Sequence, residues 1–110
     1  MNTTENNKLI AEFMGMRFES DDFEFYGDGT NIFTVDQLSF HNSWDWLMPV
    51  VEKIENLVAN VLIGRMFCDI KYTNPLNQDE IFEIRIASGI KINAVNGAVV
   101  KFIKWYNENK

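Results

Sequence analysis

Basic residues are scarce in this 110-residue chain: ten lysines and arginines stand against sixteen aspartates and glutamates, for a formal net charge of −6 at neutral pH. Nucleic acids and anionic membranes attract proteins through lysine and arginine patches, so bulk electrostatics exclude those partners and favour a basic or polar surface. A single cysteine, Cys68, excludes an internal disulfide. Set in an apolar run, it reads as a buried thiol in a reducing compartment. One histidine, His41, far from that cysteine, cannot complete a zinc site. No apolar run approaches the roughly 18 residues of a membrane span. The polar, acidic opening Met1–Asn7 lacks the basic and then apolar plan of a secretion signal, so a cytoplasmic protein is expected. The six glycines stand singly or flank turns and build no phosphate-cradling loop, and no cofactor is expected.

What the chain does have is aromatic weight: 14% of residues, nine of them phenylalanine, which predicts one domain over residues 1–110 with large side chains in its core. The stretch Ser39–Leu57 organises the rest, holding two of the three tryptophans and the only histidine. Leu47, Val50, Val51, Ile54, Leu57 and Val58 recur at the spacing of one helical face, while Glu52, Lys53, Glu55 and Asn56 take the other. Ser43 is the expected N-cap through its hydroxyl, and Asp45 suits the positive end of the helix dipole. Pro49 predicts a kink, or a short turn before a main helix that begins near Met48.

In chain order, Thr3 or Thr4 caps a first helix with Leu9, Ile10, Phe13 and Met14 on its apolar stripe and Gly15 at its exit. Aromatic and charged residues alternate from Met16 to Tyr26, broken at Ser20-Asp21-Asp22; Gly27-Asp28-Gly29-Thr30 then turns the chain into Ile32, Phe33 and Val35. This predicts a hairpin around residues 23–35. After the central helix, Asn60–Tyr72 reads as one extended run, Thr73–Asp79 as a loop, and Ile81–Ile86 as the returning strand. Asn93 is placed to cap a last helix with Val95, Val99, Phe102, Ile103 and Tyr106 on one face. The predicted class is α+β: an antiparallel or mixed four-stranded sheet sandwiched by helices, in the order α-β-β-α-β-β-α.

Three segments carry a family resemblance: Asn7–Gly15, His41–Ile54 and Val99–Glu108. Together they resemble small uncharacterised proteins of gut Bacteroides and their phages, and are similar to the group called the phage ABA sandwich domain. The resemblance implies a sheet between helical layers and an origin on a mobile element. It brings no activity, cofactor or catalytic residue with it.

His41, with Ser43 and Asp45 nearby, invites a hydrolase triad, but side chains two residues apart on one segment rarely converge and no nucleophile turn accompanies them. Trp44 and Trp46, with Phe40 and His41, are the candidate binding residues. They form either a platform for a ligand or partner, or a seal between helix and sheet. The acidic run Glu19–Glu24 with Asp28 fails a calcium loop, because the fifth and twelfth positions counted from Asp22 are Tyr26 and Phe33. Lys101, Lys104, Trp105 and Tyr106 are too few and too diluted by Glu108 for a nucleic-acid groove. The expectation is therefore a non-enzymatic binding module that contacts a host or phage protein, without nucleic acid, membrane or metal. The alternative is a small-molecule binder with a pocket near the aromatic helix start, and the sequence leaves a homodimer open.

Overall fold

The computed structural model describes residues 3–18, 25–27, 32–34, 37–57, 59–74 and 76–109. Helix α1, Thr3–Phe13, buries Asn7, Ile10 and Ala11. It closes as a Schellman turn: Gly15 N–H bonds Glu12 O at 3.0 Å and Met16 N–H bonds Ala11 O at 3.0 Å, with Gly15 at φ +81°. A glycine belongs there because a Cβ would strain the left-handed conformation.

Three short strands follow: β1 Arg17–Phe18, β2 Phe25–Gly27 and β3 Ile32–Thr34, an antiparallel sheet in that order. The predicted hairpin is present, with a third strand added from the Met16–Phe18 segment. The acidic run Glu19–Glu24 and the turn residues Asp28, Gly29 and Thr30 lie outside the described residues.

Helix α2, Trp44–Asn56, buries Leu47, Val50, Val51 and Ile54 of the face read from the sequence; Leu57 is its half-buried C-cap, and Val58 lies outside the described residues. Ser43 takes the N-cap position in extended backbone, but its hydroxyl makes no capping bond. The helix runs through Pro49 without a separate start near Met48. Pro49 is exposed, so its missing amide and its ring fall on the solvent side, where no packing is disturbed.

The second sheet holds β4 Ala59–Ile63, β5 Phe67–Asn74 and β6 Asn77–Ala87, all antiparallel. The single run expected over Asn60–Tyr72 is two strands that turn at Gly64–Met66, where Gly64 N–H bonds Phe67 O at 2.9 Å. A Cβ on Gly64 would lie 2.1 Å from the Phe67 ring, so the ring lies against bare glycine backbone. The expected loop at 73–79 is shorter, since strand pairing reaches Asn74 and resumes at Asn77.

Helix α3, Lys91–Asn109, lies across β5 and β6, with α2 against β4 and α1 against α3. Asn93 is not its cap: the amides of Asn93 and Ala94 bond Ile90 O at 3.1 and 3.2 Å, which places Asn93 in the first turn. The α+β class stands, but the described strands form two three-stranded sheets rather than one of four. Nor is the larger sheet sandwiched. Its inner face carries Ala59, Cys68 and Ile70 into the core, while Leu62 and Ile81 on the outer face are 58% and 52% exposed.

The core is mainly aliphatic. Among the described residues, Phe102 is the one aromatic of the fully buried large side chains, Phe40 is 3% exposed, and most other aromatics ring the core half-buried. Among the described residues no helix is long and apolar enough to cross a membrane.

Candidate functional site

The segment before α2 is a loop with buried side chains, and this dictates the site. Leu38 is wholly buried and Phe40 nearly so, which takes backbone carbonyls out of water that must find donors. Two asparagines supply them. Asn7 Nδ2 on α1 donates to Leu38 O at 2.9 Å, and Asn96 Nδ2 on α3 donates to Phe40 O at 3.0 Å. The same Asn7 nitrogen lies 3.0 Å from His41 Nδ1. A carbonyl only accepts, so the Asn7 amide orientation is set; Nδ1 must then accept as well, assigning the imidazole proton to Nε2. Asn7 Oδ1 is buried without a hydrogen-bond partner.

His41 is therefore held by α1 rather than by the helix it precedes. Neither Ser43 nor Asp45 hydrogen-bonds it among the described residues, so the triad geometry is not assembled.

The two tryptophans separate. Two positions along a helix means roughly 200° around it, so they face different surroundings. Trp46 meets Phe33 edge-to-face at 4.9 Å and 74°, and Phe40 at 5.2 Å and 90°. These rings enclose a surface cleft of about 320 Å³. Buried Phe40 is its floor; Phe33, Trp46, Met14 and Met16, all half-buried, are its walls; exposed Asp45 and Pro49 stand at its mouth. Asp45 makes no ion pair among the described residues. Trp44, 38% exposed, lines a shallower depression with Met48, Ile63 and Lys91.

The four residues singled out in the sequence thus play three parts. Phe40 and Trp46 share a cleft, Trp44 faces elsewhere, and His41 is tied to α1. Sequence reasoning missed the cleft's other walls, Met14, Met16 and Phe33, which come from the end of α1 and from β3. It also missed Asn7 and Asn96. A signal existed for these two: asparagine is a poor helix former, and here it stands on the apolar side of a helix where an aliphatic would pack.

A second aromatic group, on α3, packs ring against ring. Trp105 stacks on Phe82 at 4.9 Å and 28°, and Tyr106 stacks on Phe102 at 5.9 Å and 13°. A third depression, of about 370 Å³, lies among Phe13, Lys53 and Tyr106. Its cation is already used: Lys53 Nζ donates to Phe13 O at the C-terminus of α1 and sits 4.7 Å from the Phe13 ring centroid.

On the outer face of the larger sheet, Arg85 grips Asp69 in two bonds of 2.6 and 2.7 Å and lies 4.5 Å over the Phe67 ring. The Arg85 hydrogen bond holds the Asp69 carboxyl below its ordinary range. Burial, with the Asp69 charge adding to it, pushes the Cys68 thiol up to about 11. No group of three or more metal-ligating side chains converges among the described residues. The chain matches no protein-family model, no curated protein and no solved structure.

Proposed function

We propose that this chain is a non-enzymatic binding module, a small acidic protein of phage or mobile-element origin that acts in the cytoplasm by contacting a host or phage protein. The observation that carries this reading is the cleft beside Trp46. Its walls are apolar, its floor is the nearly buried Phe40, and its mouth is open at Asp45 and Pro49. Interfaces concentrate affinity where aromatic and methionine side chains meet a partner inside a polar rim, and the cleft has that composition. The net charge of −6 favours a partner with a basic surface.

A second reading is a small-molecule binder. The volume of about 320 Å³ favours it, because it falls within the range of ligand sites.

Co-purification from a Bacteroides lysate, with Trp46→Ala and Trp44→Ala side by side, separates the two. The binding module predicts a protein retained by the parent chain and by Trp44→Ala but lost with Trp46→Ala, while circular dichroism stays unchanged. Native mass spectrometry that finds instead a small molecule on the parent chain, with no protein dependent on Trp46, overturns the first reading in favour of the second.

A further inference from the structure

We propose that the cleft beside Trp46 takes the side chain of an arginine presented by a protein partner, its guanidinium held between the aromatic wall and the Asp45 carboxylate. The inference rests on the binding-module reading and adds the chemistry of what binds.

The molecule contains its own precedent. On the outer sheet, Arg85 lies over the ring of Phe67 and forks onto both oxygens of Asp69. A planar, weakly hydrated guanidinium does this readily: it stacks on an aromatic face and pairs with a carboxylate edge at the same time. The cleft offers the same two partners. Trp46 and Phe33 supply rings, and Asp45, one residue before Trp46, stands exposed at the mouth. Among the described residues no lysine or arginine lines it and Asp45 has no ion pair. Met14, Met16 and Pro49 complete an apolar lining that suits a three-carbon aliphatic stem.

Charge decides between this occupant and a purely apolar one. A leucine or phenylalanine entering beside Asp45 would cover a carboxylate with nothing to pair it, which costs free energy. An arginine brings the counter-ion with it, and the chain's net charge of −6 attracts a basic partner before contact.

The test is a titration of the isotope-labelled full chain with three blocked amino acids followed by NMR: N-acetylarginine methylamide, the citrulline analogue of the same shape without the charge, and the norleucine analogue. The arginine probe is expected to shift the Trp46 indole and its neighbours saturably at millimolar concentration, and the citrulline probe to bind about tenfold more weakly. Asp45→Asn, an exposed change that leaves the aromatic packing intact, is expected to erase that difference. Trp46→Phe keeps a ring and is expected to retain part of it.

Equal binding of arginine and citrulline, or preference for norleucine, overturns the inference and leaves the cleft standing as a binding surface. Arginine preference that survives Asp45→Asn also overturns it. If none of the probes moves the cleft resonances, the arginine assignment fails. The binding-module reading then still stands or falls on whether a partner is lost with Trp46→Ala.

Discussion

Two aromatic groups in this chain are built from the same residue types and end in opposite states. Around α3, Tyr72, Phe82, Phe102 and Trp105 interlock between a 19-residue helix and two long strands. Around the start of α2, Phe33, Phe40 and Trp46 meet at similar distances but leave a cleft. The difference lies in what covers them. Strands β5 and β6, of 8 and 11 residues, pack under α3; strand β3, of 3 residues, brings Phe33 against Trp46. Each group buries one ring, Phe102 or Phe40, and leaves the others half-buried; around α3 the rings pack against long strands, and at the start of α2 they leave a cleft between them.

Truncation should separate the two groups. Phe102→Ala, at a wholly buried position, is expected to cost about 3–5 kcal/mol in chemical denaturation. Phe33→Ala, at a half-buried position, is expected to cost on the order of 1 kcal/mol. Equal losses would mean that the cleft is as much core as the α3 group, and the contrast would be broken.

The loop beneath the cleft gives the next largest effect. Asn96→Ala leaves the buried Phe40 carbonyl without its donor and is expected to cost about 1–3 kcal/mol. Because Phe40 is the floor of the cleft, it should also alter the emission of Trp46, measured in a background lacking the other tryptophans. A variant that unfolds earlier with Trp46 emission unchanged would show that the asparagine supports the fold without shaping the cleft.

The last effect, confined to alkaline pH, belongs to Cys68 on the inner face of the larger sheet. Its thiol, raised from 9.0 to about 11 by burial, prefers the neutral form in the folded chain. A raised value contributes stability that is complete below the unfolded pKa and declines as pH climbs through the folded one. The denaturation midpoint of the parent chain, relative to Cys68→Ala, is therefore expected to fall between pH 9.0 and about 11. At neutral pH the native thiol should resist labelling until the chain unfolds. Rapid native labelling would mean that this side is open too.

Much of this architecture could be read along the chain. The apolar face of α2 follows from the spacing of Leu47, Val50, Val51 and Ile54, and the exit of α1 follows from Gly15, because periodicity and left-handed turns are local properties. The strand count could not be read. Gly64 between two apolar runs looks like one pause in a single strand until the Phe67 ring folds back over it. The fate of each tryptophan was equally hidden. Trp44 and Trp46 flank the same aspartate, and the helix's rotation sends one toward Phe33 and the other toward Lys91.

The sequence by itself determined the α+β class, the helical faces and the acidic character, all consequences of short-range spacing and composition. Only the tertiary structure decided that Met14, Met16, Phe33 and Trp46, drawn from three separated segments, would share one cleft. It also decided that Asn7 and Asn96 would hold the loop beneath that cleft. Those outcomes depend on which backbone carbonyls lose water when α1 and α3 dock, and burial of that kind exists only once distant segments have met.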